Sequence, residues 1–233
     1  MAVERRQSRV WRPRIADIKR NALDDGPGIR SVVFFKGCPL RCIWCQNPEA
    51  LSNHRELQVS EKPCIDCARC VADCPWDNAR PAAEAQDRDD CRACGICVGS
   101  CPSGARRVVG AELDAPALIE TLLKDEPFYR RSGGGVTFSG GEPTQHMAFA
   151  ATVAAALSAR GVHVLLETCG HFPWDAFEAT LLPHVAEIYV DVKLADPEAH
   201  RRHTGVDNAV IQANLERLAR IASARVLPRV PLV

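Results

Sequence analysis

The chain has 233 residues, 46% of them hydrophobic, and its 29 lysine and arginine side chains balance 29 aspartate and glutamate side chains. This length can bury one full core together with a small additional module. The absence of net charge excludes a global field that would steer the protein toward nucleic acid or an anionic membrane, and no apolar run of about 18 residues predicts a transmembrane helix.

The first predicted strand leads directly into a group of cysteines. Residues 1–30 are interpreted as a lead-in segment, and Ser31–Lys36 is predicted as a buried strand after which Gly37 turns the chain. A C-x3-C-x2-C loop follows, made of Cys38, Cys42 and Cys45. Thiolates are natural ligands of iron–sulfur clusters, and a cubane has four irons, so three cysteines leave one iron open for chemistry. Such a cluster would lie at the carboxyl end of a strand, where α/β folds bind ligands.

From about Asn53 to Val109 the sequence repeats a C-x2-C-x2-C-x3-C-P motif that is typical of bacterial two-cluster ferredoxins. In that pattern the fourth cysteine of each run binds the other cluster. One predicted cluster is therefore held by Cys64, Cys67, Cys70 and Cys101. The other is held by Cys91, Cys94, Cys97 and Cys74.

Two zinc ions are the alternative occupants for eight cysteines in C-x2-C runs, although the repeated motif favours iron–sulfur clusters. A segment of fewer than about 60 residues with few large apolar side chains has too little core to fold unaided, so metal binding is expected to stabilise it. All cysteines except Cys169 fall in metal-ligand spacings. This usage disfavours a secreted disulfide framework, and we expect a reducing, anaerobic cytoplasm and a buried, unreactive Cys169.

After this segment, strands and helices alternate along the chain. The predicted strands are Val136–Ser139, Val162–Glu167, Glu187–Val192 and one that begins near Arg225. The predicted helices run from a cap at Asp114 to about Tyr129, from Gln145 to Arg160, from Trp174 to about Leu182, and from a cap at Asp207 to about Ala222. Alternating strand–helix units imply a parallel sheet with right-handed crossovers.

Several of these motifs together resemble the glycyl-radical-enzyme activating proteins of the radical S-adenosylmethionine (SAM) superfamily. They are DGPGIR at Asp25–Arg30, FKGC ending at Cys38, CIWC at Cys42–Cys45, and QNP at Gln46–Pro48. The resemblance implies reductive cleavage of SAM to methionine and a 5′-deoxyadenosyl radical, which abstracts hydrogen from a glycine of a partner glycyl radical enzyme. It further implies three [4Fe–4S] clusters and a flavodoxin or ferredoxin-type electron donor, with no nucleic acid or membrane partner.

The resemblance also implies a set of SAM contacts. Gly140, Gly141 and Glu142 match a GGE motif, in which glycines allow close backbone approach and the carboxylate could accept hydrogen bonds from the SAM ammonium group. Asp191 and Lys193 match a D-x-K element and point to the same side of an extended strand. The full predicted SAM-binding set is Trp44, Cys45, Gln46, Gly140, Gly141, Glu142, Asp191, Val192 and Lys193. No catalytic residue is expected beyond the cluster that binds SAM, and the histidines are expected at the surface or in the core.

The expected fold is α/β, a partial (βα)6-type radical SAM barrel with an inserted ferredoxin-like two-cluster domain. Residues 1–52 are predicted to form the first part of the barrel with the cluster loop, 53–109 the insert, and 110–233 the remainder of the barrel. The family continues through a further strand, so the barrel is expected to be truncated after strand five.

Three alternatives remain open from the sequence alone. The chain could catalyse another radical SAM reaction, it could be chiefly a ferredoxin-like electron carrier, or it could be an inactive truncated relic. The GGE and D-x-K motifs argue against a simple electron carrier, which needs no SAM site.

Overall fold

The structure is a computed structural model, and it describes residues 13–84 and 90–231. The strands, in chain order, are β1 (Arg14–Ala22), β2 (Arg30–Phe35), β3 (Glu56–Val59), β4 (Arg106–Val109), β5 (Ala111–Glu112), β6 (Gly135–Gly140), β7 (His163–Thr168), β8 (Glu187–Asp191) and β9 (Arg225–Arg229). The helices are α1 (Arg69–Ala72), α2 (Ile96–Gly99), α3 (Ala115–Leu123), α4 (Glu126–Ser132), α5 (Met147–Ser158), α6 (Trp174–Thr180), α7 (Pro197–Thr204) and α8 (Ala209–Leu218). Short 3-10 turns occur at Pro48–Ala50, Pro143–His146 and Leu182–His184.

Seven strands form one mixed, mostly parallel sheet in the order β5-β1-β2-β6-β7-β8-β9. The five strands from β2 to β9 in this order are parallel, and β1 and β5 extend the edge in antiparallel pairs. The five strands predicted from the sequence are these five parallel strands, so the α/β class with a mainly parallel sheet is confirmed. No helix within the described ranges is both long and apolar enough to cross a bilayer.

The prediction that residues before Ser31 form only a lead-in is wrong for β1. Of its nine residues only Ile15 and Ala22 are buried, because β1 packs at the side of the sheet with most side chains partly or fully exposed. Charged residues such as Asp17 and Lys19 therefore interrupt the hydrophobic pattern. Pairing with β2 defines this strand, and that pairing is not visible in local sequence.

One predicted helix needs correction, and one helix was not predicted. Asp114 caps α3 as predicted, since its carboxylate accepts a hydrogen bond from the Ala117 N–H at 3.0 Å. However, α3 ends at Leu123, and α4 begins as a separate helix with a proline in its first turn. Pro127 has no N–H to donate to the Leu123 carbonyl, so one continuous helix to Tyr129 is disfavoured. Helix α7 was missed, although Asp196 caps it and Gly205 ends it in the left-handed conformation.

The two faces of the parallel sheet are covered differently. On one face Val33 and Phe35 join a hydrophobic core with side chains from α3, α5 and α6, and Phe35 contacts Phe138 edge to face at 5.5 Å. Val32 and Leu165 are equally buried, but strand alternation directs them to the opposite face. That face is covered by the turn at residues 24–29 and opens into a cleft at the carboxyl ends of the strands.

A buried arginine fixes this turn. Arg30 is 0% exposed, and its Nε donates to Thr137 Oγ1 at 2.6 Å. The same hydroxyl donates to the Asp25 carbonyl at 2.8 Å, so one threonine links the arginine to the turn. Burial lowers the pKa of Arg30 to about 10, which still leaves the guanidinium charged at neutral pH.

The segment between the cluster loop and α3 is carried by a separate antiparallel ribbon made of β3 and β4. The ribbon pairs Glu56 with Val109 at one end and Val59 with Arg106 at the other. Helices α1 and α2 and both cysteine runs lie between its strands in sequence. Assignment of residues 53–109 as a separate domain stays a prediction.

We predict that Thr137→Val destabilises the protein by about 1–3 kcal/mol, because the isosteric change leaves the buried Arg30 Nε and the Asp25 carbonyl without their hydroxyl partner. Urea unfolding at neutral pH would measure the difference. Thr152→Val is the control, since that exposed helical threonine bonds only to its own helix, through the Ala148 carbonyl. An equal effect in both variants would contradict the linking role of Thr137.

Candidate functional site

The C-x3-C-x2-C loop is held by backbone hydrogen bonds on two sides. Gly37 N–H donates to the Ala50 carbonyl at 2.8 Å, and Cys38 N–H donates to the Leu51 carbonyl at 3.1 Å. On the other side, Arg41 N–H donates to the Thr204 carbonyl at 2.6 Å and Ile43 N–H to the His203 carbonyl at 3.1 Å. The end of α7, which sequence analysis did not predict, thus supports the loop.

The three thiols of this loop border a cleft of about 550 Å³ at the carboxyl ends of β2, β6, β7 and β8. Of the residues predicted to bind the cluster or SAM, the cleft is lined by Cys38, Cys42, Trp44, Cys45, Gln46, Gly140, Gly141, Asp191 and Lys193. Glu142 and Val192 do not line it. Residues that are far apart in the sequence therefore meet at one site, as their positions after consecutive parallel strands predict.

Glu142 is fully buried beside the cleft and has a bridging role. Its Oε1 accepts hydrogen bonds from Thr144 N–H at 3.1 Å, Thr144 Oγ1 at 2.7 Å and Thr168 Oγ1 at 2.9 Å. Its Oε2 accepts from Cys169 N–H at 2.8 Å. The carboxylate thus joins the ends of β6 and β7, and its four protein donors favour a structural role over the predicted contact with the SAM ammonium group.

The two glycines of the GGE motif are required by contacts within the protein. A Cβ on Gly140, which has φ +106°, would lie 2.5 Å from the Phe35 nitrogen. A Cβ on Gly141 would lie 2.3 Å from the Gly37 carbonyl oxygen. The end of β6 can therefore approach the end of β2 and the cluster loop only when these positions lack side chains. From the sequence, both glycines had been expected only to let the backbone come close to a ligand.

A network of charged side chains forms the far wall of the cleft. Lys193 Nζ donates to Asp191 Oδ2 at 2.8 Å, and Arg229 Nε donates to Asp191 Oδ1 at 3.0 Å. Arg229 also donates to Glu167 at 2.6 Å, and Glu167 accepts from Ser139 Oγ at 2.5 Å. Burial opposes the charge of Lys193, but attraction to Asp191 outweighs it and raises the pKa of Lys193. This amine is therefore a cation at neutral pH.

Three members of this network, Ser139, Glu167 and Arg229, were not among the predicted SAM contacts. Ser139 and Glu167 had been predicted only as strand residues, and Arg229 had no predicted role. Their positions at the ends of β6, β7 and β9 are the signal that could have found them, because polar residues there face the cleft.

Cys169 is buried, as predicted, but it also lines the cleft next to Cys38. A hydrogen bond from Cys169 lowers the pKa of the Cys38 thiol. Burial raises the pKa of the Cys42 and Cys45 thiols, so a metal would have to displace their protons on binding.

The eight cysteines of the insert form two groups, each around its own cavity. One group contains Cys74, Cys91, Cys94 and Cys97, and we call it the proximal group because Glu56, the first residue of β3, lines its cavity. The other group contains Cys64, Cys67, Cys70 and Cys101, and we call it the distal group because Glu56 does not line its cavity. The fourth cysteine of each run crosses to the other group, as in the ferredoxin pattern. Their role as cluster ligands stays a prediction.

Each group places four thiols around one cavity, which is the number of protein ligands that a [4Fe–4S] cubane takes. Within residues 13–84 and 90–231, no group of three His, Cys, Asp or Glu side chains has the geometry for a single metal ion. All twelve cysteines lie in the described part of the chain and are free thiols.

The two cysteine runs share the same local backbone. Asp66 and Ala93, at equivalent positions, both have positive φ angles of 49° and 46°. Ala68 and Gly95, also equivalent, have φ of 56° and 87° and precede α1 and α2. A non-glycine residue in this region costs of order 1 kcal/mol and persists only where its surroundings impose it. The two cysteine runs therefore repeat each other in backbone conformation as well as in sequence.

The chain is similar to known proteins over most of its length. A family described as "4Fe-4S single cluster domain" matches residues 24–211. The isethionate sulfite-lyase activating enzyme of Oleidesulfovibrio alaskensis is 38% identical over 225 residues, covering 93% of this chain and 72% of the relative. The (2S)-3-sulfopropanediol dehydratase activating enzyme of Klebsiella oxytoca is 37% identical, covering 94% and 71%. The benzylsuccinate synthase activating enzyme of Thauera aromatica is 39% identical, covering 95% and 69%.

We predict that Gly141→Ala displaces the cluster loop, because the new Cβ would lie 2.3 Å from the Gly37 oxygen and 2.6 Å from the Ala50 oxygen. Overpacking of this kind costs roughly 1–3 kcal/mol or more. The reconstituted variant should lose about four irons per chain, one cubane. Gly99→Ala is the control, because nothing lies within 4 Å of its added Cβ. Full iron content in Gly141→Ala would show that the loop does not depend on this contact.

Proposed function

Because the chain belongs to the activating enzymes of glycyl radical enzymes, within the radical SAM superfamily, we propose that SAM is bound and cleaved in the cleft beside Cys38, Cys42 and Cys45. The observation that carries this proposal is the meeting of these three thiols with Asp191, Lys193 and the backbone of Gly140 and Gly141 in one cleft. The partner of the protein is a glycyl radical enzyme.

The cleft has features that fit both a cluster and SAM. Three thiols on one loop can ligate three irons of a cubane and leave the fourth for SAM. Within the described residues, the indole Nε1 of Trp44 is a buried donor with no protein acceptor, and its ring lies 6.2 Å from that of His203. An unpaired buried donor in a cleft is a place for a ligand acceptor. We therefore retain Trp44 and Gln46 as SAM contacts.

When bound, a [4Fe–4S] cluster would supply one electron that cleaves SAM into methionine and a 5′-deoxyadenosyl radical, which abstracts hydrogen from a glycine of the partner. The residues of this chain position SAM for that step. The ammonium group of Lys193 carries a positive charge suited to the SAM carboxylate. Asp191 holds the Lys193 ammonium group at the cleft wall through their hydrogen bond. Gly140 and Gly141 present backbone at the end of β6.

We further propose that the fold is a partial (βα)6-type barrel with residues 53–109 inserted. The five parallel strands, which follow one another in chain order across the sheet, support the barrel. The ribbon of β3 and β4 supports the insert boundaries, since its outer ends are Glu56 and Val109.

The insert is proposed to hold two further [4Fe–4S] clusters that relay electrons from a flavodoxin or ferredoxin-type donor. The two groups of four thiols support this proposal. Eleven cysteines in cluster-ligand spacings suit a reducing, anaerobic cytoplasm, where clusters persist.

The relatives' names point to different glycyl radical enzymes, among them a sulfite-lyase, a dehydratase and benzylsuccinate synthase. Their identities to this chain lie between 37% and 39%, so similarity alone favours none of them. The substrate of the partner is a property of that partner.

We predict about twelve irons and twelve sulfides per chain after anaerobic reconstitution, with formation of 5′-deoxyadenosine from SAM under dithionite. Cys42→Ala should abolish cleavage and keep about eight irons, because two thiolates cannot hold the loop cubane. Cys67→Ala should keep SAM binding and slow electron supply. An iron content near four, or bound zinc, would overturn the three-cluster proposal, and loss of the same irons in both variants would overturn the separate sites.

We also predict that Lys193→Met raises the KM for SAM about tenfold or more at unchanged iron content, since a hydrogen bond to a charged group contributes about 1.5–3 kcal/mol. Steady-state assays of 5′-deoxyadenosine formation would measure it. Lys124→Met is the control, because Lys124 is exposed and pairs only loosely with Glu120 at 4.0 Å. An unchanged KM would remove Lys193 from the SAM site.

A further inference from the structure

Lys36, at the end of β2, has a fully buried side chain that ends in an ammonium group. Its Nζ donates to Glu56 Oε2 at 2.6 Å and to the Glu49 carbonyl. A Cβ on Gly110 would lie 2.9 Å from Lys36 Cδ, so the stem of the lysine is closely packed. A buried charge persists only when it is paired, and breaking such a pair is strongly destabilising.

The partners of Lys36 connect two different regions. Glu49 follows the cluster loop, whereas Glu56 is the first residue of β3 and belongs to the insert. Lys36 itself is two residues before Cys38. The ion pair therefore joins the base of the insert to the strand that carries the cluster loop.

The ribbon of β3 and β4 has two distinguishable ends. Glu56 and Val109 pair at the end that contacts Lys36, and Val59 and Arg106 pair at the other end. Three residue steps along a strand separate them, a length of about 10 Å. The ribbon can therefore be used to locate each cysteine group relative to the cleft.

The cavities of the two cysteine groups border different parts of this ribbon, and the side chain of Arg106 also reaches Cys97 of the proximal group. Arg55, Glu56 and Leu57 line the cavity of the proximal group. Ala105 and Arg106 line the cavity of the distal group. The proximal group is thus the one next to Glu56 and Lys36.

We infer that the two insert sites act in a fixed order, in which the proximal group exchanges electrons with the cleft, the distal group receives them from the donor, and Lys36 and Glu56 are the positioning pair that sets this geometry. The inference rests on the proposed function. With both sites loaded, one electron from a reduced flavodoxin, ferredoxin or dithionite would pass through the distal and then the proximal site. It would be consumed in breaking one sulfur–carbon bond of SAM to give methionine and the 5′-deoxyadenosyl radical, and the donor would be oxidised by one electron.

The experiment measures the spin relaxation of the reduced SAM-site cluster by electron paramagnetic resonance in the full chain, reconstituted and reduced with SAM present. A paramagnetic neighbour accelerates this relaxation, and the effect falls steeply with distance. Two double variants at equivalent positions of the repeat are compared, Cys91→Ala with Cys94→Ala, and Cys64→Ala with Cys67→Ala. Each should retain about eight irons per chain.

We expect the Cys91→Ala, Cys94→Ala double variant, which empties the proximal site, to slow the relaxation of the SAM-site cluster severalfold. The Cys64→Ala, Cys67→Ala double variant, which empties the distal site, should leave most of the relaxation enhancement in place. The reverse result, or no effect of either pair, would overturn the order. Should either pair empty both sites, Cys94→Ser and Cys67→Ser replace them, and the variant that alters the SAM-site signal identifies the nearer group. Iron near four in the unaltered chain would instead refute the three-cluster proposal.

The positioning pair is tested in the same assay. Lys36→Met and Glu56→Gln should both weaken the relaxation enhancement at an iron content of about twelve. Glu56 is partly exposed, so its variant is available even where Lys36→Met does not fold. Arg107→Met is the matched control, because it breaks the exposed Arg107–Asp17 contact of 3.6 Å between the same ribbon and β1. Unchanged relaxation in Glu56→Gln, or equal loss in Arg107→Met, would refute the positioning role.

Discussion

The cleft depends on one residue that meets the ends of three parallel strands. The backbone N–H of Glu142 donates to the Gly37 carbonyl after β2 at 2.7 Å, while its carboxylate binds Thr168 and Cys169 at the end of β7. Glu142 itself follows β6, so β2, β6 and β7 share one buried anchor. Burying a carboxylate costs free energy unless each of its oxygens accepts hydrogen bonds. The positions of the four donors to Glu142 are therefore constrained together with the carboxylate. The cluster loop and the wall of the cleft formed by the ends of β6 and β7 are therefore positioned by the same residue.

The sequence was most informative where chemistry or burial restricts the residue types. The parallel strands β2, β6, β7 and β8 were predictable because they are largely buried and appear as apolar runs, and the cysteine groups were predictable because thiolate spacing follows cluster geometry. Strand β1 was not predictable from the sequence, because its pairing with β2 defines it and its own residues show no hydrophobic pattern. The bridging role of Glu142 and the placement of Arg229 at the cleft arise from contacts between distant segments, which local patterns do not contain.

The insert differs from the main sheet in what stabilises it. Its buried hydrophobic side chains are small, chiefly Ala79, Ala93, Cys97 and Ala105. Little apolar area can be buried by such residues, and Ala68 and Ala93 add the cost of a left-handed backbone. We therefore expect metal binding to contribute much of the folding free energy of the insert, so that reconstitution and folding of this region are linked processes. The main sheet, which has a large aromatic and aliphatic core, has no such requirement.

The antiparallel ribbon also has an evolutionary implication. Because Glu56 and Val109 are paired neighbours, the chain enters and leaves the insert at nearly the same point, and a short turn could replace the whole segment from Glu56 through Val109. Such an excision would leave the ammonium group of Lys36 without its carboxylate in a fully buried position. A related protein that gained or lost this module would thus need a compensating change at the position of Lys36, and a neutral side chain there is expected in chains that lack the insert.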